Sequence, residues 1–563
     1  MINNKKTTAK RFLVIATPPT PNGDLHVGHL SGPYLGADIY CRYLAMCGTE
    51  HYYISGVDDH QSYVSLKAEQ LGWSPAQVAD YFGDAMETTL EAAEIQLDIY
   101  ARPRKSMYHI PVVQQFFKRL YSEGKLVVKE TLSLFCRVCN RHLFEAYVSG
   151  KCPHCEHPSG GNACEDCGRP NDCADLIDPV CKSCGSVPYK VPLKRLYFPL
   201  SEYEQQLRQY HKSLKMAPHV RALCEQMLAE RLPDIAVTHV TDWGIPVPAT
   251  GFENQRLYVW FEMAPGYLAA TCELNAKLQT PPDWTSYWKS KDAAIVQFFG
   301  FDNSYFFAVL FPALFLAGDP KIQLPQTFVT NEFYRLNGLK FSTSRSHAIW
   351  GQELLRQASS DAVRFYLAHT GPEREQCNFT LQDFYQTVQC ELIEGWEAWL
   401  QGLGQKVSRG CNARVPLAWQ LEEDHENFAG ALRSLISQAE AAYQPETFSP
   451  QQATRTCCEL VRLARRFGKS EDHWSFVRGR HVRWKTSVAL ELLAAKVLMM
   501  LAAPLVPSFA VKGWRALGYE TPLSGARWNE ILEPLPVGQA LSGLVTLSFD
   551  LLGKNVQMSQ AAV

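Results

Sequence analysis

The segment covering residues 12–29 constrains the fold of this 563-residue chain more than any other. Residues 12–16 read Phe-Leu-Val-Ile-Ala, a short apolar and partly β-branched run typical of a buried parallel strand. Three prolines and a glycine then end the strand. We expect Asp24 to cap the helix that follows, so that His26 and His29 fall on its first turn, where N–H groups and the helix dipole attract an anion. The segment therefore predicts a phosphate site beyond a parallel strand.

A second strand that ends in charged residues is predicted within residues 51–60, His-Tyr-Tyr-Ile-Ser-Gly-Val-Asp-Asp-His. The carboxyl ends of such strands line the ligand crevice of open α/β sheets. Residues 66–71 and 75–95 have the apolar spacing of helices. Strands that alternate with helices predict an α/β fold with a doubly wound parallel sheet. From about Asp361 onward, long helical segments dominate.

Eight of the 18 cysteines form four Cys-x-x-Cys pairs within about fifty residues. This spacing favours metal binding over chance burial of cysteines, because two thiolate pairs complete a closed tetrahedral zinc site. We predict two structural zinc ions in a nested arrangement, with Cys173 left over. The inner ion has Cys152, Cys155, Cys164 and Cys167 as ligands, and the outer ion has Cys136, Cys139, Cys181 and Cys184.

The formal net charge is only −2, so any contact with nucleic acid needs a local basic patch.

The N-terminus lacks the apolar region of a signal peptide. The apolar runs at residues 303–318 and 497–511 are shorter than about 18 residues and contain proline, which disfavours a membrane span. We therefore expect a soluble, cytoplasmic protein without a membrane partner.

The tetrapeptide His26-Val27-Gly28-His29 resembles the HIGH signature of class I aminoacyl-tRNA synthetases. The resemblance extends to about residue 515 and is to methionyl-tRNA synthetases, of the archaeal-type branch. It implies that His26 and His29 are catalytic and stabilise the phosphates of ATP, with Gly28 beside the nucleotide. A chance His-x-x-His on a helix end, or a metal-binding pair, is the alternative interpretation.

Further segments follow the order of the same family. Residues 258–267, Tyr-Val-Trp-Phe-Glu-Met-Ala-Pro-Gly-Tyr, resemble the segment whose aromatic residues line the methionine pocket, here Trp260 and Tyr267. Asp58 matches the acid that binds the substrate amino group, although with Asp59 it also suits a helix cap. The resemblance assigns the ATP ribose to Asp302, with Gly300 beside the nucleotide. It assigns the amino acid also to Pro18, Thr20, Met263, Asn303 and Phe307.

Residues 340–345, Lys-Phe-Ser-Thr-Ser-Arg, resemble the KMSKS loop of the family. A loop that carries cations and hydroxyl groups can close on developing pyrophosphate charge. The resemblance makes Lys340 and Arg345 catalytic and places Ser342 and Ser344 at the nucleotide, whereas Thr343 replaces the usual second lysine. A solvated Ser/Thr-rich loop is the alternative.

The resemblance also implies five parts of the chain. Residues 10–117 and 238–360 are the halves of a Rossmann-like catalytic domain, and residues 118–237 are an inserted connective peptide with zinc knuckles. Residues 361–518 form an α-helical domain that resembles an anticodon-binding domain, and residues 519–563 are a C-terminal extension.

Basic residues crowd around Trp474, which matches the tryptophan that the family uses on the anticodon. Such residues suit either an RNA contact or a solvated helix face. An ungapped alignment puts Ala398 and Gly402 at the family's Asn and Arg that read the CAU anticodon, and neither side chain can hydrogen-bond a base. His239 and Phe301 likewise replace a family Arg and Lys.

The pocket departs from the family at Pro18, which has no backbone N–H, and at Thr20, Met263 and Phe307. The activated amino acid therefore stays open between methionine and a replacement. Three hypotheses follow. The first is a tRNA ligase that uses ATP, Mg²⁺ and zinc. The second is a paralogue that transfers another activated amino acid to a small-molecule amine or peptide. The third is an inactive RNA-binding relic, which the retained phosphate-handling residues disfavour.

Overall fold

The computed structural model describes residues 11–341, 348–418 and 421–549, and the chain divides into two compact units. Unit 1 comprises residues 1–24, 52–88 and 97–330. Unit 2 comprises residues 25–51, 89–96 and 331–563. The chain therefore passes between the units several times, and both are discontinuous in sequence. The five domain boundaries read from the sequence stay predictions.

The strands and helices alternate in the first part of the chain, and helices dominate the last part. In chain order, the strands are β1 (Arg11–Ala16), β2 (Glu50–Gly56), β3 (Ile99–Ala101), β4 (Val127–Cys136), β5 (Arg141–Leu143), β6 (Val148–Lys151), β7 (Pro158–Ser159), β8 (Asn162–Ala163), β9 (Pro170–Asn171), β10 (Ile177–Cys181), β11 (Tyr189–Phe198), β12 (Ile235–Ala236), β13 (Thr238–Val240), β14 (Gln255–Leu257), β15 (Ala293–Gly300), β16 (Thr327–Asn331), β17 (Tyr334–Leu336), β18 (Leu339–Lys340) and β19 (Cys377–Phe379). The helices are α1 (Val27–His29), α2 (Leu35–Met46), α3 (Ser62–Leu71), α4 (Pro75–Ala92), α5 (His109–Ser122), α6 (Glu204–Ser213), α7 (Pro218–Ala229), α8 (Val259–Lys277), α9 (Thr285–Trp288), α10 (Phe311–Gly318), α11 (Gly351–Gln357), α12 (Ser360–Thr370), α13 (Leu381–Thr387), α14 (Ala398–Gly410), α15 (Glu423–Tyr443), α16 (Pro450–Glu471), α17 (His481–Ala502) and α18 (Pro507–Ala516).

A five-stranded sheet in the order β16-β15-β1-β2-β3 forms the centre of unit 1. β1 pairs in parallel with β15, with Arg11 opposite Ala293 and Ala16 opposite Phe298, and β2 pairs in parallel with β3. The apolar run of β1 is buried, as its composition predicts. The α/β fold class with a parallel sheet is therefore confirmed.

The zinc-knuckle insertion is built on a long antiparallel pair. β4 and β11 pair along most of their length, from Phe135 opposite Tyr189 to Val127 opposite Tyr197. Cys136 ends β4 and Cys181 ends β10, and the other cysteines of the Cys-x-x-Cys pairs lie in the turns between the strands. Their shared core is small and includes Cys136, Cys173 and Cys181, together with a few apolar side chains. Such a core leaves room for metal ions to contribute to folding.

Among the described residues, the stretch Phe301–Gly318 is long and apolar enough to cross a membrane, but 78% of it is buried inside the protein. It includes α10, whose side chains belong to the main apolar core of unit 1. Its apolar composition is therefore explained by packing against the sheet rather than by contact with lipid.

The helix cap in the first motif differs from the prediction. His26, and not Asp24, is the N-cap of α1, because the His26 backbone is extended and its side chain accepts a hydrogen bond from the His29 N–H. A π-helical turn at Leu30–Tyr34 then leads into α2. The sequence suggested Asp24 because aspartate is a common N-cap residue, but the imidazole of His26 takes that place.

Candidate functional site

The predicted histidine pair lies in unit 2 and forms a reciprocal cap. The backbone N–H of His29 donates to His26 Nδ1 at 3.2 Å, and the backbone N–H of His26 donates to His29 Nδ1 at 3.3 Å. The two rings stack with their centroids 3.7 Å apart. Because both Nδ1 atoms accept hydrogen bonds, each neutral ring carries its proton on Nε2 and can donate it to an anion.

The environment keeps both rings neutral. Burial lowers the pKa of His29 to about 4. Burial and the neighbouring His29 hold the pKa of His26 well below its usual value. The pair therefore acts near neutral pH through N–H donors and not through positive charge. Gly28 lets these rings pack closely, since a Cβ there would lie 3.0 Å from His26 Nδ1 and 3.2 Å from the Phe341 ring and would push them apart.

The segment that begins at Lys340 reaches the histidine pair. Lys340 ends β18, paired with Arg335 of β17, and the Phe341 ring stacks on His26 with centroids 4.6 Å apart. After the loop, the Val27 N–H donates to the Ile349 carbonyl at 3.0 Å. Ser342, Ser344 and Arg345 lie outside the described residues. The described start of the KMSKS-like segment, and Ile349 beyond it, therefore lie beside the HIGH-like motif.

In unit 1, predicted amino-acid ligands follow the carboxyl ends of β1 and β2. Pro18 and Thr20 are half-buried in the turn after β1, and Asp58 is buried just beyond β2. The Asp58 N–H donates to the Pro19 carbonyl at 2.9 Å, which joins the two turns. The structure therefore brings these three predicted residues to one edge of the sheet.

The electrostatics of Asp58 suit a cationic ligand. Burial raises the pKa of its carboxyl group well above the usual value, and the charge of Glu262 adds to the effect. An ammonium group placed beside Asp58 would relieve this repulsion and favour the ionised carboxylate.

The turn after β15 is compact and is centred on Asp302. The Asn303 side-chain amide donates to Asp302 Oδ1 at 3.1 Å. A Cβ at Gly300 would lie 2.7 Å from the same oxygen, so a larger residue there would displace the Asp302 carboxylate. The three predicted residues Gly300, Asp302 and Asn303 therefore lie together at the carboxyl end of β15.

The predicted side-chain pocket is built from stacked aromatic rings. Trp260 stacks face to face on Phe306 with centroids 3.5 Å apart. Tyr267 packs against Phe307, which in turn stacks on Phe299 at 4.6 Å. Met263 is buried in the same apolar core. This region therefore suits an apolar group, and Phe306 is a member of it that the sequence did not reveal.

A buried carboxylate on α8 also escaped the sequence analysis. Glu262 Oε1 accepts hydrogen bonds from His60 Nδ1 at 2.7 Å and from His109 Nε2 at 2.8 Å. Burial alone would raise the pKa of Glu262, but the two histidines outweigh it and lower the pKa to about 2. The one signal in the sequence was an acid within the apolar segment at residues 258–267.

The eight cysteines converge in two sets of four, in the nested arrangement expected from the sequence. Sγ–Sγ distances are 3.5 Å for Cys136 and Cys184 and 3.6 Å for Cys155 and Cys164. A tetrahedral zinc ion with Zn–S bonds of about 2.3 Å separates its sulfur ligands by about 3.8 Å. Both sets therefore have the donors and the size to hold zinc. Cys173 lies apart from both sets, near Glu145.

His239, which the sequence comparison placed at a family arginine, has aromatic surroundings. His239 stacks on Phe144 with centroids 4.5 Å apart and meets Tyr258 edge-on. Burial, with a contribution from Arg195, holds the pKa of His239 well below its usual value. His239 is therefore a neutral aromatic residue and does not replace the charge of an arginine.

In unit 2, acidic side chains neutralise part of the positive charge around Trp474. The guanidinium groups of Arg480 and Arg483 lie 5.1 Å and 4.8 Å from the centre of the indole. Arg483 is also held by Glu422, Asp424 and Glu471. Arginines thus already stack on the indole, and part of the positive charge is engaged. The RNA contact of Trp474 stays a prediction.

Comparisons with known proteins identify the family of the chain. The family model for tRNA synthetases class I (M) matches residues 12–401. A methionine-tRNA ligase of Porphyromonas gingivalis is 32% identical over 558 residues, which cover 97% of this chain and 80% of that protein. A methionine-tRNA ligase of Thermomicrobium roseum is 31% identical over 526 residues, covering 92% and 88%.

A solved structure has the same fold. Mycobacterium tuberculosis methionyl-tRNA synthetase in complex with methionyl-adenylate aligns with a TM-score of 0.78 at 18% identity, over 94% of this chain and 98% of that one. The family match covers more than half of the chain, and the curated relatives exceed 30% identity over nearly all of it. The chain therefore belongs to the class I tRNA synthetases of the methionine type, tRNA synthetases class I (M).

Proposed function

We propose that this chain activates an amino acid with ATP, as an aminoacyl-adenylate, and transfers the aminoacyl group to tRNA. Family membership supports the proposal. The observation that carries it is the contact of Phe341, the residue after Lys340, with the neutral pair His26 and His29. A cationic loop next to N–H donors is the arrangement that stabilises negative charge on a leaving pyrophosphate.

In the proposed reaction, a carboxylate oxygen of the amino acid attacks the α-phosphorus of ATP. The new bond is a phosphoric-carboxylic anhydride, and the bond to pyrophosphate breaks. His26 and His29 donate hydrogen bonds from Nε2 to phosphate oxygens, and Lys340 and Arg345 supply positive charge. Mg²⁺ accompanies ATP and offsets phosphate charge when bound.

Substrate recognition is assigned to unit 1. Asp58 binds the amino group, because an ammonium group would offset the burial of its carboxyl group and the charges of the neighbouring acids, which together raise its pKa. Asp302 binds the ribose. The stacked rings around Trp260 and Tyr267 select an apolar side chain, since a polar one would lose its hydration there. The two cysteine sets hold structural zinc, and we place the protein in the cytoplasm.

ATP/pyrophosphate exchange with each of the twenty amino acids, without tRNA, tests the activation step. We expect exchange with an apolar amino acid. Exchange with methionine alone supports the methionine type of substrate, and exchange with a different amino acid supports altered specificity. The absence of exchange with all twenty would contradict the proposal and favour the relic.

A second candidate is a paralogue whose acceptor is a small-molecule amine or a peptide. The observation that favours it is the surface of α14, where Ala398 and Gly402 are exposed and nothing lies within 4 Å of a Cβ built at Gly402. Residues four apart share a helix face, so Ala398 and Gly402 themselves offer no base-specific group to an RNA on this face.

Transfer assays separate the two candidates. If Ala398 and Gly402 replace the family's anticodon-reading Asn and Arg, the wild-type protein should charge a tRNA with a CAU anticodon no better than one with a scrambled anticodon. Ala398→Asn with Gly402→Arg should then introduce discrimination, whereas Gly402→Ala should not. Strong discrimination by the wild type would contradict the placement of these residues. Exchange without transfer to any tRNA would favour the second candidate.

A further inference from the structure

Glu145 is a buried carboxylate that the zinc-binding insertion carries next to the predicted amino-acid pocket. It begins a short 3-10 turn, Glu145–Tyr147, between β5 and β6, and only 5% of its surface is exposed. Its φ angle is +42°, a left-handed conformation that is unfavourable for a residue with a Cβ. A buried charge on strained backbone needs compensating contacts, and strain of this kind concentrates at functional sites.

Three hydrogen-bond donors hold the Glu145 carboxylate. Oε1 accepts from the hydroxyl of Tyr258 at 3.0 Å and from the indole Nε1 of Trp260 at 3.1 Å. Oε2 accepts from the hydroxyl of Ser62 at 3.0 Å. Ser62 begins α3, and Tyr258 is the N-cap residue of α8. One carboxylate of the insertion thus joins α3 to α8, the helix that carries Trp260 and Tyr267.

The turn that holds Glu145 is also anchored to the outer cysteine set. On one side, β5 pairs with β4, where Arg141 lies opposite Cys136. On the other side, β6 pairs with β10, where Val148 lies opposite Cys181. The backbone of Tyr147 also accepts a hydrogen bond from the Lys182 N–H at 2.9 Å. The position of Glu145 therefore depends on the strands that carry two of the four thiols.

We propose that Glu145 is a positioning residue that fixes the indole of Trp260 and thereby makes the amino-acid pocket depend on the zinc-binding insertion. This inference rests on the proposed function, because it takes Trp260 to contact the substrate side chain. Rings pack on the indole, with Phe306 stacked at 3.5 Å and Phe311 tilted at 6.3 Å, and Glu145 accepts its N–H. Stacking alone permits rotation within the ring plane, whereas the hydrogen bond to a carboxylate sets the direction of the N–H.

Glu145→Gln tests the role with little change in volume. The amide can keep its oxygen toward Tyr258 and Trp260 and turn its NH₂ group toward Ser62, but a neutral oxygen accepts both hydrogen bonds more weakly than a carboxylate does. In ATP/pyrophosphate exchange we expect the KM for the amino acid to rise about tenfold or more, while the KM for ATP stays unchanged. The matched control is Glu69→Gln. Glu69 pairs with Arg141 and so also joins α3 to the insertion, but it has no contact with the pocket among the described residues.

A spectroscopic readout tests the contact apart from catalysis. With ¹⁵N-labelled tryptophan, and Trp260→Phe to assign the signal, we expect Glu145→Gln to shift the Trp260 indole N–H resonance and to speed its exchange with water. Removal of zinc by a chelator should produce the same shift. Glu69→Gln should leave the resonance in place, and far-UV circular dichroism checks that each protein is folded.

The outcomes are distinct. A folded Glu145→Gln protein with unchanged amino-acid KM and an unshifted indole resonance overturns the inference. A rise of the KM for ATP and the amino acid together also overturns it, because it indicates general loss of structure. If the wild type catalyses no exchange with any amino acid, the proposed function fails. The indole resonance then still decides whether Glu145 positions Trp260.

Discussion

At the scale of single residues, the Asp58 carboxyl group gives the clearest prediction. Its raised pKa, caused by burial and then by Glu262, means that a larger fraction is protonated at mildly acidic pH than for an ordinary aspartate. A neutral carboxyl group binds an ammonium group weakly. The KM for the amino acid in exchange should therefore fall as pH rises through this pKa, while the KM for ATP changes little.

Asp58→Asn is the matched variant for this prediction. It should raise the amino-acid KM at neutral pH by about 10- to 100-fold, the cost of losing a charge-assisted hydrogen bond, and should abolish the pH dependence. KM measurements between pH 5 and 8 for both proteins check the prediction. A wild-type KM that is constant over this range would argue against Asp58 as the ligand of the amino group.

For His26 and His29 we expect no pH dependence of the rate near neutral pH. The pKa of His29 is lowered to about 4 by burial, and that of His26 is also well below its usual value, so neither ring gains a proton between pH 6 and 8. The rate constant of exchange at saturating substrate should show no inflection near pH 6.5. Replacement of either ring by alanine should lower kcat by about 10²- to 10³-fold with a smaller effect on KM, as expected for donors that act on transition-state charge.

His51→Ala is the control for the histidine prediction, since His51 is a half-buried histidine of the same unit whose Nδ1 contacts only the nearby Thr49 carbonyl among its described contacts. It should retain kcat. An inflection near pH 6.5 that disappears in His26→Ala or His29→Ala would show that a charged ring takes part.

At the scale of elements, the sequence predicted those segments whose pattern is carried by residues close together in the chain. The apolar run of β1, the charged end of β2 and the four Cys-x-x-Cys pairs each depend on neighbouring residues, and the sequence identified them. The predicted N-cap of α1 was wrong by two residues, because the sequence preference for aspartate did not reveal that the imidazole of His26 accepts the His29 N–H. Glu145 went unnoticed because its contact with Trp260 joins residues 115 apart, and no periodicity or spacing reports such a contact.

The zinc-binding insertion gives a prediction at this scale. Because its own core is small, metal should supply much of its folding free energy. The purified protein should contain two zinc ions per chain by elemental analysis. Cys139→Ser should remove one of them, and tryptic cleavage between residues 136 and 184 should then increase while the helical signal in circular dichroism stays nearly constant. Cys173→Ser should leave the zinc content at two. A zinc content of two in Cys139→Ser would contradict the ligand assignment.

At the scale of the whole molecule, unit 2 combines three separate stretches of chain, and the buried Arg364 joins them. Its guanidinium group donates to the Asp38 carboxylate at 2.6 Å, to the Ala93 carbonyl at 3.1 Å and to the Leu505 carbonyl at 3.0 Å. Asp38 and Arg364 are each only 1% exposed. Residues 25–51, which carry His26 and His29, are thus held to the helical part of unit 2 by one fully buried cation.

Arg364→Met should therefore destabilise unit 2 strongly. The substitution keeps much of the apolar volume but leaves the Asp38 carboxylate and several carbonyl groups buried without this donor, which typically costs about 3–5 kcal/mol. Because Arg42 remains beside Asp38 on α2, part of that charge stays compensated, so we expect the lower end of the range. Urea unfolding should show a lower midpoint, and exchange activity should be lost at lower urea concentrations because the histidine pair belongs to this unit. Arg356→Met removes an exposed arginine that donates to Gln352 and is the control. An unchanged midpoint in Arg364→Met would mean that the three stretches are held together by apolar packing alone.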